Sequence, residues 1–169
     1  HEVTRLSGAK KSNDSLEQAR TSAFHLLKVR PRSESELKLR LDRKGFTPEI
    51  VTATLEELKG KGLIDDERFA RFFATQKMII KPSGRRALLE DLRAKGIHPV
   101  LATQAVEEAT GGKDEFEVAS ELASRRLVQM KGLPRPTVER RLYGFLGRRG
   151  FSSDVIYRVL REVVRSQEN

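Results

Sequence analysis

The chain contains no cysteine and no tryptophan, and only two of its 169 residues are tyrosine. The missing thiols exclude disulfides, thiolate zinc sites and cysteine nucleophiles. Apolar runs are also short: residues 78–80 form about the longest one, far below the roughly 18 residues of a membrane span. Residues 1–20 lack the apolar segment of a secretory signal. These absences predict a cytoplasmic protein with no membrane contact.

Positive charge, by contrast, is in excess. Lysine and arginine number 33 against 24 acidic residues, which gives a formal net charge of +9. Hydrophobic residues still make up 37% of the chain, so full disorder is excluded. A basic protein of this composition is expected to bind an acidic partner.

A glycine-centred pattern occurs three times, at Gly45, Gly96 and Gly150, and is typical of a joint between two helices. Leucines lie four and eight residues before each glycine, so they share one helix face. The glycine suits the left-handed backbone at a helix end. Thr47 or Ser152 can then cap the next helix. We therefore predict a helix, a turn and a second helix in every copy.

A further amphipathic helix precedes each joint, starting near Ser15, Asp65 and Lys113. We predict an all-α fold of three tandem three-helix repeats. An elongated, curved array is expected, because units this small must lean on their neighbours. The predicted repeats are residues 15–62, 63–112 and 113–165. They follow an N-terminal segment, residues 1–14, whose sequence is compatible with disorder.

The basic residues are concentrated in the same part of every repeat. Residues 28–44 and 77–95 each carry a net charge of +4, and residues 125–149 carry +7. Exposed helix faces normally mix both signs, so this recurrence predicts a surface that faces a polyanion or an acidic protein. The candidate contact residues are Arg85, Arg86, Arg93 and Lys95 in the second repeat, and Arg125, Arg126, Arg140, Arg141, Arg148 and Arg149 in the third.

Side chains suited to catalysis or to base recognition are scarce. The three histidines lie far apart in the sequence, and no phosphate-loop or metal motif is complete, so we predict neither an enzyme nor a cofactor. Gln129 is the only amide side chain in the three basic segments. Contact with nucleic acid is therefore expected without base specificity. Tyr143 lies among the arginines and is expected to pack rather than to stack on bases.

Asp65 and Asp66 begin the first helix of the second repeat. Carboxylates at this position usually accept hydrogen bonds from the free N–H groups of the first turn. We predict that they cap this helix and seat Phe69 between the first two repeats, rather than bind a metal ion or contact a partner.

Three segments resemble the RecX family, the bacterial regulators of the RecA recombinase. They are residues 32–37 leading into Lys44-Gly45-Phe46, residues 62–70, and residues 84–86 leading into residues 92–97. The resemblance runs from about Ser15 to Val164. The chain departs from the family pattern at Ala87, where a larger aliphatic residue is usual.

The resemblance implies a regulator that binds the RecA filament on single-stranded DNA and inhibits its ATPase, strand-exchange and coprotease activities. Such a regulator modulates recombination and the SOS response. It would lie in the groove of the filament, which encloses DNA and is lined by acidic protein, and we expect a monomer when the protein is free. Two alternatives stay open: a direct, largely non-specific DNA-binding protein, and a helical-repeat adaptor for an acidic protein. End capping, groove binding and promoted disassembly are equally compatible with the sequence.

Overall fold

The computed structural model describes residues 2–167, and side chains from residue 15 to residue 166. Within that range every regular element is helical. The elements are α1 (Glu2–Val29), α2 (Glu34–Arg43), α3 (Pro48–Gly60), α4 (Asp66–Ile80), α5 (Arg85–Ala94), α6 (Pro99–Thr110), α7 (Glu115–Leu127), α8 (Arg135–Arg148) and α9 (Ser153–Val159). They form three sets of three, which confirms the all-α repeat fold.

The start of the first helix differs from the expectation. Helix α1 begins at Glu2 rather than near Ser15. After α9 the helical path continues as a π turn (Leu160–Val164) and a 3-10 turn (Arg165–Gln167). The domain boundaries stay a prediction. His1 and the side chains of residues 2–14 lie outside the described part of the chain, so disorder of residues 1–14 stays a prediction as well.

The repeated leucines build the core of each repeat. Both leucines that precede each glycine have no exposed surface, because their four-residue spacing places them on the helix face that packs inward. They are Leu37 and Leu41, Leu88 and Leu92, and Leu142 and Leu146.

The turn glycines have the predicted conformation. Gly45, Gly96 and Gly150 have φ values of +87°, +75° and +85°. Residues with a Cβ atom rarely adopt this left-handed backbone region. Thr47 and Ser152 cap the following helices, each accepting a hydrogen bond from the N–H three residues on. The Nδ1 atom of His98 caps its helix in a similar way, but it accepts from the N–H two residues on, that of Val100. The local joints therefore follow directly from the sequence.

Contacts divide the chain into two compact units. Unit 1 comprises His1–Phe69 with Lys95–Ile97, and unit 2 comprises Ala70–Ala94 with His98–Asn169. A core built around Leu37, Leu41 and Leu58 lies in unit 1. A larger core, which includes the buried residues of α7, α8 and α9, lies in unit 2.

Inside unit 1, the start of α2 contacts the turn that contains Gly96. The hydroxyl of Ser33 donates to the carbonyl of Lys95 over 2.6 Å. The ammonium of Lys95 lies 2.7 Å from the Glu36 carboxylate, which also accepts from Arg30. Burial alone would raise the pKa of Glu36, but the hydrogen bonds from Arg30, Lys95 and the Ser33 N–H outweigh it and lower the pKa to about 2.

The acidic pair at the start of α4 serves two helices. Asp65 accepts the N–H of Arg68 over 3.0 Å and so caps α4. Asp66 accepts the N–H of Glu34 over 2.9 Å and so satisfies the first turn of α2. Burial raises the pKa of Asp66, with its neighbours Glu34 and Asp65 adding to the effect. Capping of α4 is therefore confirmed for Asp65 and wrong for Asp66, which serves α2 instead. Phe69 is buried, and its seating between the first two repeats stays a prediction.

Inside unit 2, the start of α5 contacts the turn that contains Gly150. The N–H of Gly84 donates to the carbonyl of Arg149 over 2.7 Å. The Arg85 N–H donates to Glu115 over 2.8 Å. A Cβ on Gly150 would overlap the Cβ of Ala87. The absence of a side chain at Gly150 is therefore required for this approach as well as for its φ.

Candidate polyanion-binding surface

Helix α8 positions most of the predicted contact residues of the third repeat. It begins after Pro134, with a second proline in its first turn, where a missing N–H costs nothing. Val138, Leu142 and Leu146 recur at every fourth residue and are buried in the core of unit 2. Because this face packs inward, the arginines between these apolar residues face outward. Arg140 and Arg141 lie between Val138 and Leu142, and Arg148 follows Leu146; all three are exposed.

These arginines and Arg126 of α7 line a concave surface that we call the arginine groove. Its volume is about 460 Å³. The lining residues are Arg126, Gln129, Met130, Arg140, Arg141, Gly144, Phe145 and Arg148. None of them is acidic, and none of the acidic side chains that the structure describes forms an ion pair with Arg140, Arg141 or Arg148. Positive charge gathered in a concavity without counter-charges attracts an anion.

The Phe145 ring contacts the guanidinium groups of Arg126, a lining residue, and of Arg149, which lies beside the groove. The guanidinium carbons of Arg126 and Arg149 lie 5.1 and 4.9 Å from the centre of its ring, as in cation–π pairs. Arg149 also donates to the carbonyl of Pro82 over 2.8 Å. Burial lowers the pKa of Arg149, and the charge of Arg126 lowers it further. The two cations are therefore fixed close together, and a bound anion would relieve their repulsion.

Other basic residues of the third repeat do have acidic partners. Arg135 lies 2.9 Å from Glu139, and Arg158 lies 3.0 Å from Glu162, each one helical turn along. Neither pair lines the groove. These two basic residues are thus neutralised by neighbours on their own helix, whereas the arginines that line the groove are not.

In the second repeat, by contrast, the candidate arginines of α5 lie close to acidic side chains. Arg85 lies 3.7 Å from Glu107, and Arg86 lies 3.8 Å from Glu90 on the same helix. Arg85 also borders a small cavity whose lining includes Asp114 and Glu115. These candidate residues are exposed, but acidic side chains accompany both of them.

The remaining three candidates occupy separate places. Arg93 is exposed at the end of α5. Lys95 is half-buried and bonded to Glu36 in unit 1. Arg125 is exposed and borders a neighbouring cleft with Glu121, outside the arginine groove. Of the ten predicted contact residues, four line the groove and Arg149 supports it.

The sequence did not point to three of the lining residues, Met130, Gly144 and Phe145, nor to Tyr157, which is not a lining residue. Phe145 was overlooked because most phenylalanines in the chain fall at core spacing. Gly144 lies inside α8, where glycine costs about 1 kcal/mol relative to alanine; its position next to the arginines was a usable signal. A Cβ there would lie 3.1 Å from the terminal nitrogen of Arg148. Tyr157 contacts Tyr143, and the two rings lie 5.4 Å apart.

Fold and surface together define a class: a helical-repeat protein that presents a basic groove. Comparison with known proteins identifies the family. Models of the first, second and third three-helix domains of RecX match residues 19–58, 65–106 and 113–160. The chain belongs to the RecX family.

Relatives in this family extend over most of the chain. The regulatory protein RecX of Amycolatopsis mediterranei (strain U-32) is 35% identical over 147 residues, which cover 87% of this chain and 83% of the relative. That of Thermobifida fusca (strain YX) is 31% identical and covers 95% and 86%. These relatives are named regulatory proteins, and this chain is likewise a regulatory protein rather than an enzyme.

Solved structures agree on the fold. The crystal structure of RecX from Lactobacillus salivarius matches with a TM-score of 0.70 at 18% identity, covering 89% of this chain and 97% of that one. A second crystal structure of regulatory protein RecX gives 0.74 at 24% identity and covers 94% and 78%. Among the helices that the structure describes, none combines the length and apolar character needed to cross a membrane.

Proposed function

We propose that this protein binds the filament that the RecA recombinase forms on single-stranded DNA, and that it inhibits the ATPase, strand-exchange and coprotease activities of that filament. It would thereby modulate recombination and the SOS response in the cytoplasm. Membership of the RecX family supports the regulatory role. The single structural observation that carries the proposal is the arginine groove, which has no acidic lining residue.

The groove suits a filament because both components of a filament can present anions. Phosphates of the enclosed DNA and carboxylates of the recombinase are matched by the planar, two-pronged guanidinium group. Burial lowers the pKa of Arg149, and the positive charge of Arg126 lowers it further, so a bound anion would stabilise the charged guanidinium group. Binding of a polyanion releases counterions, so the affinity should fall steeply with salt.

Direct, largely non-specific DNA binding is the second candidate, and the same groove favours it. The one amide side chain that could read a base edge, Gln129, accepts a hydrogen bond from Arg126 over 2.7 Å. A single amide among four lining arginines favours contacts to the phosphate backbone over base recognition.

Filament ATP turnover separates the two candidates. Preformed RecA filaments on single-stranded DNA would be titrated with the protein at a salt concentration that abolishes its binding to naked DNA. The regulator lowers ATP turnover and sediments with the filaments under those conditions. A protein that inhibits only at salt concentrations where it also coats free DNA would be a DNA-binding competitor, and the proposal would be withdrawn.

The concentration dependence of the same titration distinguishes the modes of action. Full inhibition at one regulator per many recombinase subunits indicates end capping, whereas saturation at one per few subunits indicates occupation of the filament groove. An adaptor for acidic proteins would sediment with the filaments without changing their ATP turnover.

A further inference from the structure

The three glycines between second and third helices differ in what covers them. A Cβ built on Gly96 would overlap the side chain of Ser35, near the start of α2. One built on Gly150 would overlap Ala87, near the start of α5. A Cβ built on Gly45 would meet no described residue within 4 Å. The first copy of this turn is therefore open, whereas a helix start covers each of the other two.

The two covered turns are made in the same way. In both, a residue twelve positions before one turn glycine donates to the carbonyl of the residue that precedes the next turn glycine. The hydroxyl of Ser33 donates to Lys95 over 2.6 Å, and the N–H of Gly84 donates to Arg149 over 2.7 Å. The matching acceptor in the first repeat is the carbonyl of Lys44. It accepts no hydrogen bond from the residues that the structure describes.

The aromatic residue beside Gly45 is also less buried than its counterparts. Ile97 and Phe151 follow the two covered glycines and are 4% and 3% exposed. Phe46 packs against the core of unit 1 but keeps part of its ring in contact with solvent. An aromatic ring left half-covered beside an unused carbonyl is typical of a surface whose partner lies on another molecule.

Open surroundings are normal at a different class of glycine turn. Gly62, Gly111 and Gly112 follow the third helices of the first and second repeats, and a Cβ on each would meet no described residue within 4 Å. Because this class is open in both repeats, its openness indicates no missing neighbour. Gly45 belongs to the class whose two other copies are both covered.

The covered turn of unit 1 shows what kind of helix start fits. Helix α2 begins with a capping box, in which Ser33 accepts the N–H of Glu36. The Glu36 carboxylate then lies 2.7 Å from the ammonium of Lys95. Lys44 is the counterpart of Lys95, and its ammonium lies 3.4 Å from the hydroxyl of Ser22 without contacting a described carboxylate. A helix with a carboxylate at its third position would supply the missing charge.

The remaining middle helix of the chain does not have such a start. Counted from its turn glycine, α8 begins four residues earlier than α2 and α5 do, with Arg135. The position of Ser33 and Gly84 is taken by Val138, which lies inside the helix and is 8% exposed. A second copy of this chain therefore offers no matching middle helix, and we look to a different protein as the occupant.

We infer that the Gly45 turn is a protein-docking site that receives the first turn of a helix from a recombinase subunit. The occupant has a small residue in that turn and a carboxylate at its third position. The Lys44 carbonyl accepts from the helix start, and the Lys44 ammonium pairs with the carboxylate. The inference deepens the proposed function and rests on it, since it assigns a recombinase contact to the first repeat.

Charge reversal at Lys44 tests the site against a matched lysine. Lys44→Glu would repel the partner's carboxylate, so the concentration that halves filament ATP turnover should rise about tenfold. Lys61 also precedes an open turn glycine in unit 1, but one of the other class, and Lys61→Glu should stay within about twofold of the original. Neither residue lines the arginine groove, so both variants should keep the original affinity for free single-stranded DNA. Equal inhibition by the two variants would overturn the inference.

Filling the open turn tests the close approach. Gly45 and Gly62 have φ values of +87° and +68°, and asparagine tolerates this region better than most residues with a Cβ. Gly45→Asn should weaken filament inhibition about tenfold, because its side chain occupies the space of the docked helix. Gly62→Asn should change it less than about twofold. Circular dichroism verifies that both variants are folded. A folded Gly45→Asn variant that inhibits normally would contradict the proposed approach.

A cross-link identifies the occupant directly. The chain has no cysteine, so Lys44→Cys provides a single thiol for a benzophenone label. Irradiation on preformed filaments should join this label to a recombinase helix with an acidic residue at its third position, as located by mass spectrometry. Loss of inhibition caused by the label at this position, but not by the same label on Lys61→Cys, would also support docking.

Three results of the cross-linking experiment would overturn the inference. They are attachment to DNA, attachment to a second copy of this chain, and the absence of any recombinase adduct on filaments that the labelled protein inhibits. The assays also separate this inference from the proposed function. If the original protein neither sediments with filaments nor lowers their ATP turnover, the proposed function fails. If the original inhibits and the Lys44 and Gly45 variants inhibit equally well, the docking site fails and the proposed function stands.

Discussion

The second and third repeats carry basic residues at corresponding positions and use them in different ways. Lys95 and Arg149 each precede the turn glycine of their repeat. Lys95 is bonded to the Glu36 carboxylate, whereas Arg149 donates to the Pro82 carbonyl and lies against Phe145. Lys95 is neutralised by an ion pair, whereas Arg149 has a neutral hydrogen-bond acceptor and, among the described residues, no carboxylate partner.

The same contrast applies to the exposed arginines of α5 and α8. Arg85 and Arg86 lie near Glu107 and Glu90, while Arg140 and Arg141 line a groove without carboxylates. Net charge counted along the sequence is positive in both segments. The comparison teaches that a basic segment becomes a binding surface only where the fold leaves its charge uncompensated.

Charge reversal gives the largest expected effect and tests this comparison directly. Arg140→Glu with Arg141→Glu should weaken binding to single-stranded DNA by about 300-fold at low salt, since two charge-assisted hydrogen bonds are removed and two repulsions are added. The slope of log affinity against log salt should become shallower by about 0.7 for each phosphate that the variant no longer neutralises. Fluorescence anisotropy of a labelled thymidylate strand measures both quantities.

The matched variant in the second repeat is Arg85→Glu with Arg86→Glu. It introduces the same charge change where Glu107 and Glu90 already lie nearby. We expect less than about a fivefold loss of affinity, because distant charges are screened by salt. Equal losses in the two double variants would show that both repeats contact DNA and would remove the distinction.

Substituting the turn glycine of each repeat by alanine should lower the free energy of unfolding by different amounts. Gly150→Ala should lower the free energy of unfolding by about 3 kcal/mol, because a positive φ and a clash with Ala87 add together. Gly96→Ala meets the side chain of Ser35 and should cost somewhat less. Gly45→Ala, with no neighbour within 4 Å among the described residues, should cost about 1 kcal/mol. Urea unfolding ranks the three variants; equal losses would mean that φ alone matters.

The Glu36–Lys95 ion pair should make the unit 1 contact sensitive to acid. The pKa of Glu36 is lowered from 4.5 to about 2, so its stabilisation is complete above pH 4.5 and is lost as the pH falls through 2. Glu36→Gln should cost about 2 kcal/mol at pH 7, and the difference from the original should shrink between pH 4.5 and 2.

The control for this prediction is Asp42→Asn, which removes an exposed ion pair with Lys38 and should cost under about 0.5 kcal/mol. Urea unfolding at pH 7, 4 and 3 tests both variants. The contact of Arg149 with the Pro82 carbonyl contains no carboxylate and should lack this acid dependence. A Glu36→Gln penalty that stays constant with pH would contradict the assignment.

Gly144→Ala gives the smallest effect and separates stability from binding. A helix-interior alanine should raise the free energy of unfolding by about 1 kcal/mol. The new methyl group would crowd Arg148 and should weaken DNA binding about twofold. Thermal unfolding and anisotropy on the same sample measure the two changes. A variant that is more stable and binds more tightly would show that Arg148 does not depend on this glycine.

The sequence predicted those parts of the fold that depend on local spacing. The leucines before each glycine and the caps at Thr47 and Ser152 are determined within a few residues, so periodicity was sufficient to find them. The capping role of Asp65 and Asp66 was predicted, although the helix that Asp66 completes is α2. That partner is 32 residues away, a distance over which sequence spacing alone carries no information.

The binding surface was predicted only in part, because it depends on partners distant in the sequence. Arg86 and Glu90 are four apart on one helix, so their pairing could have been foreseen. The pairs Arg85–Glu107 and Lys95–Glu36 could not, since each joins separate elements. The separation of Arg140, Arg141 and Arg148 from the other candidates therefore emerged only from the fold.

The carboxylates of Asp66 and Glu115 have a consequence for synthesis on the ribosome. Each accepts the N–H of a helix that begins about 30 residues earlier, Glu34 in one case and Arg85 in the other. A nascent chain that ends after one repeat has not yet made the group that completes its own middle helix. The first and second repeats therefore reach their final hydrogen bonding only when translation has entered the repeat that follows.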